Sequence, residues 1–402
     1  MKKPPLHVLA GNAPVGSLTR SDVEFDGFLF AYRQGTAADG AVSLTMPVRA
    51  DQYDSMGGLL PLFEMNLPEG ALRERLRLQF AKAVPEFDDL DLLQIVGKSQ
   101  IGRLRYSVHE GFSEQVPAQD LGEILTYTGS ADLFAHLLDR FAQYSGVSGV
   151  QPKVLVRDGT VPDKLTHRGT THIVKAFDPS QYPELAANEY ICTMGAAAAG
   201  IRVPRLQLSE NRQFLIVDRF DLAADGTYLG LEDFCVLDAR RSHGRYDGSY
   251  EQVARRITDY VSPGALTSAR EQFALMVAYS CAIGNGDAHR KNFSVIYRTP
   301  ADEVSLAPAY DIVSTVPYIP RDTLALELGG TKAFPDRARL LRFIRELTGS
   351  KARSAELLEQ AVAGVATAIR EAEEYGRRHA DAAAFVDRIT AVFRTGTERV
   401  VD

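Results

Sequence analysis

The sequence predicts an α+β fold in two lobes, a β-rich half followed by a mostly helical one. Two observations carry that expectation. Up to about residue 221, short apolar runs of alternating character recur between Gly, Pro and Ser breaks, which is the pattern of strands. Beyond Asp221 such runs become scarce, and long amphipathic patterns take over at about 249–261, 267–283, 336–348, 352–378 and 381–395. Where two halves of unlike architecture meet, a ligand cleft is expected.

Bulk composition narrows the class. In 402 residues the hydrophobic share is 45% and the charged share 24%, enough apolar material for a sizeable core without disulfides. The cysteines, Cys192, Cys235 and Cys281, are odd in number, far apart and in no metal-ligand spacing, so buried thiols in a reducing cytoplasm are expected. The start, MKKPPLHVLAGNAPVG, has no long apolar stretch after its lysines and does not read as a secretory signal. No window approaches the roughly 18 uncharged apolar residues of a membrane span, so no membrane association is expected. A net charge of −7 with dispersed basic residues argues against a nucleic-acid surface, and any DNA contact is expected through a partner.

Along the chain, residues 25–48 hold FLFAYR and VSLTMPV, read as antiparallel strands around a Gly-rich break. A helix is expected over 68–83, where Leu72, Leu76 and Phe80 repeat every four residues behind Pro68 and Glu69. Another is expected over 88–96, with Asp88 as its N-cap. Residues 109–130 are polar and turn-rich and read as a linker, followed by a helix near 131–143. From 144 come a Gly/Ser-rich turn, the strands VLVR and HIVKAF, the helix ELAANEYICTMGAAAA, and the strands VPRLQL and QFLIVDRF.

The strongest chemical signal is GNGDAHRKNFS at 284–294. Asp287 and Asn292 stand with four residues between them just after a predicted helix end. Phosphoryl transfer needs a carboxylate to take the hydroxyl proton and a nearby hard oxygen ligand for Mg²⁺, and one D-x-x-x-x-N loop supplies both. Nineteen residues past Asn292, APAYDIVS offers Asp311 as a second metal ligand. Upstream, SGVSGVQPK at 145–153 places small residues where backbone N–H groups can approach phosphate oxygens, with Lys153 at its end. It is not a Walker A loop. Lys175 sits in the strand HIVKAF, and a buried ammonium needs a carboxylate, which Glu189 of the next helix offers. FLIVDRFD, 214–221, ends the β-rich half where a hinge would meet adenine, through the backbone of Asp218, Arg219 and Phe220 and the side chain of Asp221. Each feature alone is an ordinary loop, strand or turn. Their order, Gly-rich loop, strand lysine, helix glutamate, hinge, catalytic Asp/Asn and metal Asp, is the order of parts in a protein-kinase-like fold.

At these residues the sequence resembles the HipA family, kinase toxins of bacterial toxin–antitoxin systems. The matching segments are SGVQPK, THIVKAF, NEY, VDRFD, EDF, GNGDAHRKNFS and APAYDIVS, and in the N-terminal third LFEMNLPEGALRERL and DLLQIVGKSQIGRL. The resemblance covers about residues 5–380 and implies three parts: an accessory subdomain over 1–108, a kinase N-lobe over 109–221 and a helical C-lobe over 222–402. It implies Asp287 as catalytic base and Asn292 and Asp311 as Mg²⁺ ligands. The ATP site it implies comprises Ser148, Gly149, Val150, Gln151, Lys153, Lys175, Asp218, Arg219, Phe220 and Asp221, bordered by His289, Arg290, Lys291 and Tyr310, with Glu189 paired to Lys175. It further implies transfer to protein Ser/Thr hydroxyls, aminoacyl-tRNA synthetases being the type of target, and a small helix-turn-helix antitoxin that binds operator DNA. Relatives often carry an autophosphorylated serine five residues before the loop Gln. Here Gly146 stands there, which leaves Ser148, and after it Ser145, as self-modification candidates. Two rival readings are weighed. The N-terminal segment argues against a small-molecule kinase resembling aminoglycoside or choline kinases. The intact Lys175, Asp287, Asn292 and Asp311 argue against a pseudokinase acting as transcriptional co-repressor.

Overall fold

The structure is a computed structural model that describes residues 3–22, 27–80, 84, 86–110, 115–128, 132–149, 151–159, 169–177 and 180–402. Its elements run β1 (Leu6–Ala10), β2 (Ala13–Arg20), β3 (Phe28–Tyr32), β4 (Tyr53–Ser55), α1 (Pro61–Glu64), α2 (Gly70–Phe80), α3 (Asp89–Val96), β5 (Leu104–Ser107), β6 (Ala118–Gln119), α4 (Leu121–Leu125), α5 (Leu133–Phe141), β7 (Lys153–Asp158) and β8 (His172–Ala176). There follow α6 (Leu185–Ala198), β9 (Leu206–Leu208), β10 (Phe214–Asp218), β11 (Gly230–Asp233), α7 (Phe234–Leu237), α8 (Tyr250–Tyr260), α9 (Pro263–Ala282), β12 (Ser294–Tyr297), β13 (Ser305–Leu306), α10 (Arg337–Thr348), α11 (Lys351–Arg378) and α12 (Ala383–Val401). The chain forms two contact units, one of residues 1–176, 209–243 and 296–304, the other of 177–208, 244–295 and 305–402.

In the first unit an antiparallel sheet runs in the order β4-β3-β2-β1-β5. Strands β6, β7, β8 and β10 lie side by side elsewhere in the unit, β6 parallel to β7 and the others antiparallel. Leu6, Val8, Phe30, Phe63, Leu93 and Tyr106 share one hydrophobic core with Val154, Val174 and Ile216, so the N-terminal hundred residues and the strands of the Gly-rich loop bury their apolar faces together. Asp88 caps α3 as expected. Its carboxylate takes the N–H groups of Leu90 and Asp91 at 3.0 and 3.1 Å, and Asp91 returns the bond to the Asp88 N–H at 3.0 Å.

Three local expectations change. VSLTMPV is not a strand. It folds into a tight turn bridged from Ser43 to Met46, because the buried Glu232 carboxylate draws in the Ser43 hydroxyl at 2.5 Å and the Leu44 N–H at 2.9 Å. Residues 6–20, unread in the sequence, form β1 and β2. Gly16 interrupts their pattern since a Cβ there would sit 2.5 Å from the Ala31 carbonyl and 2.7 Å from the Phe30 ring. The stretch read as a linker contains β6 and α4, whose Leu121 and Ile124 are buried. The helix read over 68–83 is described as α2 up to Phe80, and 81–83 lie outside the described residues.

The second unit is helical around α11, which packs against α6, α9, α10 and α12. Close approach of α11 to α6 rests on paired glycines, since a Cβ on Gly364 would lie 2.6 Å from the Gly195 carbonyl. Pro263 opens α9 and Gly349, at φ +67°, closes α10. The three cysteines are buried and unbridged. Among the described residues no helix is long and apolar enough to cross a membrane.

Candidate active site

The catalytic-loop candidates sit where α9 ends. Gly284 turns the chain at φ +66°, a conformation that favours glycine. The Asn285 side chain accepts the Asp287 N–H at 2.9 Å, an Asx turn that lifts Asp287 out of the helix end. Asn292 is folded back on the same turn, its Oδ1 accepting the His289 N–H at 3.1 Å. From outside the loop, Tyr250 donates to the Ala288 carbonyl at 3.0 Å, and the Gly286 N–H reaches the Thr315 hydroxyl at 2.8 Å. Tyr310 donates to the Lys291 carbonyl at 2.7 Å, which ties the loop to the residue before Asp311. Asp311 adopts φ +54°, the left-handed region, which Asp tolerates better than most non-glycine residues.

Asn292 and Asp311, far apart in sequence, line one small cavity with Asn285, Tyr310 and Ile312. Their donors are hard oxygens, which suit Mg²⁺ completed by phosphate oxygens and water. Among the described residues no three His, Cys, Asp or Glu side chains converge as a self-sufficient metal cage.

Asp287 is half-buried. Burial raises its pKa above the usual carboxylate value, a hydrogen bond from Tyr246 opposes this, and the charge of Asp311 adds to the rise. Such a shift moves a carboxylate towards general-base duty. His289 Nε2 lies 4.0 Å from Asp287, but burial, reinforced by Arg245, pushes the imidazole down to about 4. It is neutral at pH 7 and forms no ion pair there. Its buried Nδ1 has no hydrogen-bond partner among the described residues. Arg290, expected to border the phosphates, is fully buried, donating to the Asp247 carbonyl at 2.8 Å and to Gln252 at 2.6 Å. Glu189 is buried on α6, beside Asn188, which exchanges two hydrogen bonds with the Ser314 backbone at 2.8 and 2.9 Å. Tyr246, Thr315 and Asp322, whose carboxylate accepts the Thr315 hydroxyl, escaped the sequence reading. Tyr246 touches Asp287 from 41 positions away, and no local pattern marks it.

In the first unit, Lys153 and Lys175 are direct partners across β7 and β8, so both project from the same face of the sheet. Both are buried, at 5% and 3% exposure. A buried ammonium is kept charged only by acceptors and negative groups within reach. The Lys153 ammonium donates to the Ser148 carbonyl at 3.2 Å, under Gly149 at φ +115°. A Cβ on Gly149 would collide with that ammonium. Ser148 and Gln151 are half-buried, and Val150 lies outside the described residues. Ser145 is fully buried, its hydroxyl donating to the Phe141 carbonyl at 2.8 Å and accepting the Leu155 N–H at 2.9 Å. Ser145 is thus held inside by both of its hydroxyl bonds, while Ser148 is half-buried.

At the end of β10, Asp218 stays partly exposed beside His172, 3.2 Å away, and Phe220 is half-buried. Arg219 and Asp221 turn inward. Their side chains form a buried fork with contacts of 3.0 and 2.5 Å, Arg219 also donating to the Gln100 carbonyl at 2.8 Å and Asp221 accepting the Gly102 N–H at 2.7 Å. Burial would raise the Asp221 pKa, but Arg219 and Gly102 outweigh it and hold the carboxyl below its usual range. Asp221, expected beside the ribose, is here part of an internal clamp.

A family model described as HipA-like C-terminal domain matches residues 145–373, more than half of the chain, and one described as HipA N-terminal domain matches 6–107. "Putative kinase Y4dM" of Sinorhizobium fredii is 32% identical over 68% of this chain and 66% of its own length, and "Putative kinase Y4mE" of the same organism is 27% identical over 72% of each. The chain thus spans about two thirds of the first of these relatives. Among solved structures, a chain of the Shewanella oneidensis MR-1 complex of HipA, HipB and operator DNA matches with a TM-score of 0.70 at 18% identity, covering 98% of this chain and 97% of that one. At that identity the likeness establishes the α+β fold.

Proposed function

The chain belongs to the HipA family, and from that premise we propose that it is an ATP- and Mg²⁺-dependent kinase that phosphorylates serine or threonine hydroxyls of a cellular protein. The observation that carries the reading is the catalytic turn, where a half-buried Asp287 with a raised pKa stands beside a cavity lined by Asn292 and Asp311. Asp287 accepts the proton of the attacking hydroxyl. Asn292 and Asp311 hold Mg²⁺, whose charge neutralises the phosphates. Lys153, Lys175 and the loop around Ser148 and Gly149 bind the nucleotide's phosphates, and Asp218 and Phe220 flank its base. Lys291 and Tyr310 keep the turn and Asp311 in register. Partners in the same reading are a protein substrate, of which aminoacyl-tRNA synthetases are one class, and a helix-turn-helix antitoxin through which the protein meets DNA in the cytoplasm. The HipA–HipB–operator composition of the structural neighbour supports that partner choice.

The test is transfer of label from γ-³²P-ATP to lysate proteins, sugars and amines, comparing wild type with Asp287→Ala. The expected outcome is labelled protein, reduced about 10²–10⁴-fold in the variant, with nucleotide affinity unchanged. Label on a sugar or amine alone would overturn the protein-kinase reading.

A further inference from the structure

Tyr246 ends a short 3-10 turn, and its phenol donates to Asp287 Oδ1 at 2.8 Å. Its ring stands edge-on to His289 with centroids 5.0 Å apart, and its carbonyl accepts Lys332 Nζ at 3.0 Å. The side chain is nonetheless 43% exposed. A base that takes a proton from an acceptor hydroxyl must receive an O–H group within about 2.6–3.2 Å. The phenol already delivers an O–H group to the carboxylate at that range.

Two roles fit a hydroxyl on a catalytic carboxylate. It can orient the base, or it can stand in the place of the acceptor. An orienting group is usually buried behind the base and held by packing. Tyr246 differs, being nearly half in water. The turn fixes the backbone of Asp287, whose N–H bonds Asn285 and whose carbonyl takes the His289 N–H at 2.7 Å, whereas the phenol bonds the carboxylate itself.

We propose that Tyr246 holds the acceptor subsite closed: its phenol occupies the position in which a protein hydroxyl must bond Asp287, and entry of that hydroxyl displaces it. The subsite so defined takes a side-chain hydroxyl, with the His289 ring as its wall. This inference rests on Asp287 being the base.

The experiment uses the full chain as wild type, Tyr246→Phe and Asp287→Asn, with Mg-ATP and two acceptors: water, read as ADP release, and dephosphorylated casein, read as transferred phosphate. Tyr246→Phe keeps the ring and removes only the hydroxyl, and its melting temperature checks that the fold is kept. Closure predicts ADP release faster by about three- to tenfold, the size expected when one half-exposed hydrogen bond no longer competes. Where casein is phosphorylated, KM falls by a similar factor while kcat holds. A Tyr246→Phe enzyme that is slower than or equal to wild type, or that loses kcat at constant KM, overturns closure in favour of an orienting role. If Asp287→Asn releases ADP and phosphorylates casein as fast as wild type, the base assignment fails and closure with it.

Discussion

Gly146 refuses a side chain, and its neighbours explain why. Its N–H bonds the Ser99 carbonyl at 2.9 Å and its carbonyl takes the Ile101 N–H at 3.1 Å. A Cβ there would collide with the Gln100 side-chain amide, which is buried and tied to the Val96 carbonyl at 2.6 Å. Gly146→Ser is therefore expected to cost about 1–3 kcal/mol, the range of an overpacked core, read as a lower urea midpoint. Adding Gln100→Ala should restore most of the loss, and a double variant no better than the single one would refute the clash. The Arg219–Asp221 fork makes a second prediction. Asp221→Asn leaves a buried guanidinium without its counter-charge and should cost about 3–5 kcal/mol at pH 7. The folded pKa of Asp221 is depressed, so its contribution is complete above the unfolded value of about 3.9 and is lost as pH falls through the lower folded value. The gap between wild type and variant in urea melts should narrow as pH drops below about 4.

Among the elements, α11 and α6 oppose two effects at one position. Gly364→Ala improves helix propensity by about 1 kcal/mol, yet the added Cβ would lie 2.6 Å from both the Gly195 carbonyl and the Ala199 Cβ. Helix backbone cannot move aside as a flexible side-chain tip can, so the clash wins. Net destabilisation of about 1–2 kcal/mol is expected from thermal unfolding. A more stable variant would mean that the helices separate freely. At the N-terminal end of α3, Asp88→Ala removes a reciprocal cap and should cost about 0.5–2 kcal/mol, with faster hydrogen exchange at the Leu90 and Asp91 amides.

For the whole chain, sequence matching and packing divide the first unit differently. The family's N-terminal model ends at 107, but Val154, Val174 and Ile216 share a core with Val8, Phe63 and Leu93. A chain beginning at residue 109 would expose that core and is expected to melt without cooperativity and to bind a hydrophobic dye. A sharp transition in circular dichroism would show that the strands around the Gly-rich loop fold alone.

What the sequence determined by itself was whatever short-range pattern encodes. Helices α8 to α12 follow from apolar spacing, α3 from its Asp88 cap, β7, β8 and β10 from runs of β-branched residues, and the family from the order of its motifs. Tertiary structure decided what depends on neighbours far along the chain. The VSLTMPV run becomes a turn because Glu232, 189 residues from Ser43, bonds it. Arg219 and Asp221 become a clamp through Gln100 and Gly102, and Arg290 faces inward to Asp247 and Gln252. Tyr246 meets Asp287 only in the folded chain. Residue type and spacing report local propensity and burial period. Which buried charge finds which partner is set by packing, because a carboxylate or guanidinium taken from water must be matched by whatever group the fold brings within reach.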